Sequence, residues 1–135
     1  MWKLYAMDAS ESVAIVTNVG SLFDAISRKP VIAPVTYTDD YTFQWTDATL
    51  QPFLTKRTAF AHEQEVRAVI EDPELGRLGT TGMKVNVELS SLLHRIVISP
   101  FAPSWILPTV RSVVERFGLD VSVQASALVA TPFHY

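Results

Sequence analysis

Between Lys56 and Arg67 the chain reads KRTAFAHEQEVR, gathering Lys56, Arg57, His62, Glu63, Glu65 and Arg67 into twelve residues. Side chains of these types can do two kinds of chemistry. Carboxylates held beside cations can polarise a hydroxyl or stabilise positive charge on a substrate, provided burial and neighbouring charge shift their titration. They can equally neutralise one another as an ion-paired strip. If His62–Ile70 is a strand, alternation puts Glu63, Glu65, Arg67 and Val69 on one face and His62, Gln64, Val66, Ala68 and Ile70 on the other. The candidate catalytic residues are then Glu63 and Glu65, and the candidate ligand-binding residues are Lys56 and Arg67. Trp2 and Tyr5 add two rings that could stack on a ligand, although such rings more often anchor a core or an interface.

The remaining residues with chemical potential do not assemble in sequence. His62, His94 and His134 lie on separate elements without ligand spacing, so no metal site is expected. Gly79-Thr-Thr-Gly-Met-Lys84 lacks the Gly-Lys-Ser/Thr of a phosphate loop and precedes a strand, so it reads as a hairpin loop. No serine stands in an elbow of glycines, and no acyl-transfer nucleophile stands out. There is no cysteine, which excludes disulfides and thiolate chemistry.

Composition narrows the class. At 135 residues the chain fits one domain, taken as 1–135. Its apolar content of 48% and mean hydropathy of +0.20 imply a dense core or an apolar surface that a partner covers. No apolar run reaches the ~20 residues of a membrane helix, and MWKLYAMDASES has no signal-peptide pattern. A bacterial-type cytoplasmic protein is therefore expected. The net charge is −3 and the basic doublets are Arg28-Lys29 and Lys56-Arg57, which argues against specific nucleic-acid binding.

The elements that would position the polar strip follow from periodicity. Trp2–Met7 reads as a short helix. Val13-Ala-Ile-Val-Thr fits a buried strand. A helix is predicted over Leu22–Arg28 with Ser21 as its cap, stopped by Lys29-Pro30. Val31–Tyr37 is a strand in which Pro34 implies an edge or a bulge. Tyr41–Trp45 alternates as a half-buried strand would, and Asp47 can cap a helix over Ala48–Lys56. The glycines and proline of Glu71–Gly82 mark a loop, across which His62–Ile70 is expected to pair with the alternating stretch Met83–Leu89. Ser90 or Ser91 caps a single turn before the strand Arg95–Ser99, and Ser99-Pro-Phe-Ala-Pro is a rigid corner. A helix over Ile106–Phe117 ends at Gly118, with Leu119 folding back, and Val121–Ala125 closes the chain as a strand. The sum is an α+β fold with a mixed, mostly antiparallel sheet and two or three packing helices.

Several of these segments carry a family resemblance. Met1–Ala6 (MWKLYA), Ser12–Thr17 (SVAIVT) and Val35–Tyr37 (VTY) come first. Lys56-x3-Phe60-x-His62-Glu63-x-Glu65-x-Arg67, the Ser99–Pro103 corner and Ser126-Ala-Leu follow in order. Together they resemble the bacterial proteins grouped as domain of unknown function 2971, along nearly the whole chain. The resemblance implies kinship without an activity. Family members usually have a glycine where Ser12 stands, and a substantial segment before the Met-Trp pair that here is Met1-Trp2. The chain is accordingly expected to be the C-terminal portion of a longer domain, whose missing N-terminal segment or a second copy would cover its apolar surface. Glu-x-Glu also resembles the catalytic strand of the ADP-ribosyltransferase fold. That likeness implies NAD as the cofactor, with Glu65 holding the nicotinamide-ribose hydroxyl and Glu63 activating the acceptor.

Overall fold

A computed structural model of the chain describes Trp2 and residues 9–40, 49–71 and 82–129. In chain order the elements are β1 (Val13–Val16), α1 (Val19–Ala25), β2 (Val31–Pro34), β3 (Thr36–Tyr37), β4 (Thr55–Lys56), β5 (Val66–Val69), α2 (Leu89–Leu92), β6 (Arg95–Ile98), α3 (Ile106–Arg116) and β7 (Ser122–Ala125). Short 3-10 helices add Gln51–Leu54 and Thr58–Glu63. The class is α+β, with both antiparallel and parallel strand pairs. Among the described residues no helix is long and apolar enough to cross a membrane.

The chain divides into two compact units, Met1–Ala25 with Glu88–Tyr135, and Ile26–Val87. In the first, a three-stranded sheet runs in the order β1-β6-β7, antiparallel between β1 and β6 and parallel between β6 and β7. The parallel pair requires a crossover, and α3 supplies it. Ile106 and Val114 on α3 pack with Ile96, Ile98 and Val123 from the sheet, and Val110, Leu107, Leu119 and Val121 close around them. Ile98 is the best buried, at 2% exposure. Each such aliphatic side chain contributes about 1.5–3 kcal/mol when removed from water. Pro108 is tolerated because it stands in the first turn of α3, where its missing N–H has no partner to lose. Gly118 ends the helix at φ +64°, donating to the Glu115 carbonyl at 3.0 Å, while Leu119 donates back to Val114 at 3.1 Å. The Ser99–Pro103 corner is closed by Ala102 N–H to the Ser99 carbonyl at 3.1 Å, and Ser99 itself is buried.

In the second unit β2 pairs antiparallel with β5, Val31 opposite Val69 and Pro34 opposite Val66. β3 and β4 form a two-residue parallel pair. Here the expectations need correcting. His62–Ile70 is not one strand: Thr58–Glu63 is a 3-10 helix, Gln64 turns left-handed at φ 47°, and β5 begins at Val66. The alanines and the absence of β-branching after Thr58 favour the turn over the strand. β5 pairs with β2, not with Met83–Leu89, where Val87 bridges Ile26. The β-branched Val31-Ile32 outcompetes the hairpin that the loop residues suggested. The predicted helix over Ala48–Lys56 is a 3-10 turn at Gln51–Leu54 that passes directly into β4; Asp47 and Ala48, like Tyr41–Trp45, lie outside the described residues. Val31–Tyr37 breaks at Val35 into β2 and β3.

Two caps also differ. α1 starts before Ser21, because Asn18 Oδ1 accepts the Ser21 N–H at 2.8 Å and the Asn18 carbonyl accepts Leu22 N–H at 2.9 Å. α2 is capped by Glu88, whose carboxylate accepts from the Ser90 N–H at 3.2 Å and the Ser90 hydroxyl at 2.7 Å. Those two bonds hold the Glu88 carboxyl below its usual range.

Candidate functional site

The polar strip exists, but it is built by turns more than by strand alternation. Glu65 and Arg67 stand two apart where the chain enters β5, so their side chains lie on one face. Arg67 grips both oxygens of Glu65, Nε to Oε1 at 2.6 Å and Nη2 to Oε2 at 3.0 Å, the forked geometry that favours Arg over Lys. Its remaining Nη1 donates to the Phe53 carbonyl at the end of the 3-10 turn Gln51–Leu54. Lys56 enters from β4. Its ammonium donates to Glu63 Oε2 and reaches Glu65 Oε2 at 3.4 Å, with the Phe60 ring face 4.6 Å away.

Glu63 joins this cluster because the 3-10 helix, closed by the Gln64 N–H to the Ala61 carbonyl at 3.3 Å, turns it back toward Lys56. Tyr37 on β3 completes the frame: its hydroxyl accepts the Glu65 N–H at 2.8 Å, and the Glu65 carbonyl accepts Val35 N–H at 2.8 Å. Arg57 approaches the same Phe60 ring at 5.7 Å, and Thr58 N–H caps onto Asp39 Oδ1 at 3.1 Å.

The side chains are partly covered, with exposures of 26% for Lys56, 16% for Glu63, 30% for Glu65 and 31% for Arg67. Two anions meet two cations, so the cluster is neutral. The Arg67 hydrogen bond, reinforced by Lys56, holds the Glu65 carboxyl below the usual carboxylate range against the opposing effect of partial burial. The hydrogen bond to Glu63 raises the Lys56 ammonium above its ordinary value, and the bond to Glu65 raises Arg67. A carboxylate stabilised in this way is a weak proton acceptor at neutral pH. It remains able to hold a hydroxyl or a cation, provided that contact displaces Arg67 or Lys56.

Of the residues singled out from sequence, Lys56, Glu63, Glu65 and Arg67 converge. Trp2 is half-buried and belongs to the other unit, and Tyr5 lies outside the described residues. Among the described residues no group of His, Asp and Glu is arranged to hold a metal ion. Tyr37 and Phe60 stand in the segments that carry the family resemblance, but their contacts with the cluster, like that of the Phe53 carbonyl, were not among the expectations. Nothing in spacing announces a contact made through a 3-10 turn, although Phe60 between two cationic residues and His62 was a signal within reach. In the first unit, a cleft of about 410 Å³ is lined by Pro108, Thr109, Ser112, Val113 and Arg116, none of them a sequence candidate. Also unforeseen there is a contact between Ser21 and His94, residues 73 apart, with Oγ 2.7 Å from Nε2.

No family model, no curated protein and no solved structure matches the chain.

Proposed function

We propose that this chain is a partner-binding α+β module that associates with a second copy of itself, and that the Lys56–Glu63–Glu65–Arg67 cluster is structural. The observation that supports it is the edge strand β1. Val13 is 48% and Ile15 59% exposed on a strand paired, among the described residues, on one side only. Val13-Ala-Ile-Val carries no charge, proline or bulge, the devices by which soluble proteins guard an edge. A second β1 laid antiparallel would meet apolar residues with apolar residues along its length and extend the sheet. The reading takes with it the bacterial cytoplasmic setting and the kinship to domain of unknown function 2971 expected from the sequence. Light scattering during size exclusion at tens of micromolar tests it. A dimer is expected, converted to monomer by Ile15→Lys. A clean monomer that binds no apolar dye overturns it.

A second reading rests on the convergence of Lys56, Glu63, Glu65 and Arg67 in one cluster. It makes the region a nucleotide-handling site, in which two cations hold a pyrophosphate and Glu65 holds a ribose hydroxyl. We rank it second because each of these side chains already spends its charge on a neighbour. NAD titration by calorimetry separates the two: no heat of binding at millimolar NAD supports the structural role, and saturable binding lost in Glu65→Gln replaces it.

A further inference from the structure

The geometry points to Ser21 and His94 as a nucleophile–base pair competent for acyl transfer from activated esters. The hydroxyl and the imidazole stand in the relation such chemistry requires, with Ser21 Oγ 2.7 Å from His94 Nε2. In the tautomer with its proton on Nδ1, His94 accepts the hydroxyl hydrogen at Nε2 and leaves an oxygen lone pair free to attack. Backbone hydrogen bonds seat the main chain of both partners. Ser21 is the third residue of α1, and the Asn18 cap holds its N–H at 2.8 Å. His94 directly precedes β6, and its own N–H donates to the Val16 carbonyl at the end of β1 at 3.1 Å. The base is thus anchored to the sheet and the nucleophile to the helix that packs on α2.

Access favours the same assignment. His94 is exposed and Ser21 half-buried, so an ester carbonyl can approach from solvent. The residue before the nucleophile is Gly20, where a Cβ would lie 3.3 Å from Asn18 Oδ1, the atom that caps the Ser21 N–H. This activity is independent of the pairing through β1 and of the ionic cluster, since neither supplies a residue to it.

The reaction balances without any further reagent. Ser21 Oγ forms a bond to the ester carbonyl carbon while its proton passes to His94 Nε2. The bond from that carbon to the leaving oxygen breaks, and the alkoxide takes the proton from His94 to depart as an alcohol. Water, losing a proton to His94, then attacks the acyl-serine. The acid leaves, and the proton returns to Ser21 Oγ. The net change is ester plus water to acid plus alcohol. General-base assistance of this kind is worth about 10²–10⁴-fold.

The test uses the full chain with a fluorophosphonate as the probe. A fluorophosphonate forms a serine–phosphorus bond with loss of fluoride and the hydroxyl proton, so intact mass and peptide mapping read the site directly. The expected result is one adduct, on Ser21, absent in Ser21→Ala and formed at least about 100-fold more slowly in His94→Ala. His94→Gln, which keeps a polar side chain at the contact, guards against loss of fold and should be as slow as His94→Ala with an unchanged circular dichroism spectrum. A Ser21 adduct that forms equally fast in urea overturns the assignment, as do labelling of other serines at the same rate and full reactivity in both His94 variants.

Discussion

The two compact units are held by opposite means. Around β6 and α3, five aliphatic side chains from sheet and helix exclude water, with backbone ladders and the Gly118 and Leu119 bonds beside them and one side-chain tie, Arg111 Nη2 to the Val123 carbonyl at 3.2 Å. Around Glu65 the elements are two to six residues long, and what ties them is polar: Arg67 to Glu65 and the Phe53 carbonyl, Lys56 to two carboxylates, and Tyr37 to the Glu65 N–H. Apolar burial is non-directional and large per residue. A partly exposed ion pair is directional but contributes little net free energy, because water and salt screen it and ordering two long side chains opposes it. The first unit should therefore carry most of the stability. The cluster should mainly select one arrangement of short elements among several of similar energy.

The largest way to break this comparison is Ile98→Ala. The side chain is fully enclosed at the C-terminal end of β6, so the cavity should cost about 2–5 kcal/mol in urea unfolding followed by circular dichroism. That is a large share of the 5–15 kcal/mol typical of a domain. A loss below about 1 kcal/mol would mean that the aliphatic cluster is not the main source of stability.

Two left-handed residues give the next, smaller pair of effects, one in each unit. Gly118 stands at φ +64° with nothing within 4 Å of where a Cβ would lie, so Gly118→Ala meets only backbone strain, about 1 kcal/mol. Gln64 holds φ 47° with a side chain, so Gln64→Gly removes such strain and gives back part of the gain as lost chain entropy. Melting temperature should fall for Gly118→Ala and rise slightly for Gln64→Gly. A fall in both would show that the Gln64 side chain, and not its backbone angle, matters to the turn that delivers Glu63.

The same contrast explains what was legible in the sequence. β1, β6, α3 with its Gly118 cap, and β7 fall within a residue or two of expectation, because apolar periodicity and a glycine stop report the very burial that stabilises them. In the ionic unit the residues Lys56, Glu63, Glu65 and Arg67 could be picked from their types, but their arrangement could not. Strand alternation put Glu63 beside Glu65 for a reason that does not hold, since a 3-10 helix and a left-handed Gln64 bring it to Lys56 instead. Strand pairing failed similarly: the turn residues of Glu71–Gly82 suggested a local hairpin, and long-range pairing of β5 with β2 prevailed. Serine and histidine 73 residues apart leave no trace in spacing at all.

The smallest effect expected is also the one that best separates a structural cluster from a functional one. Glu65 titrates below its ordinary value of 4.5 in the folded chain, chiefly through the Arg67 hydrogen bond. The folded state then binds fewer protons than the unfolded state near that pH, so the stabilisation from this group is complete above about 4.5 and is lost as pH falls through the folded value. Lys56 is raised above 10.5, chiefly by Glu63, so its contribution is complete below 10.5 and is lost as pH rises through its folded value. Glu65→Gln keeps an oxygen for Arg67 and should leave the fold intact. The fall in melting temperature at pH 7 should be under roughly a third of that for Ile98→Ala, in keeping with a screened pair. It should flatten the acid limb of a melting-temperature profile and leave the alkaline limb in place, because the larger cause on Lys56 is Glu63. A gain in stability at neutral pH would reverse the conclusion. It would mark Glu65 as a carboxylate that its neighbours tolerate at a cost, as sites kept for a ligand often are, and would move the nucleotide reading ahead of the structural one.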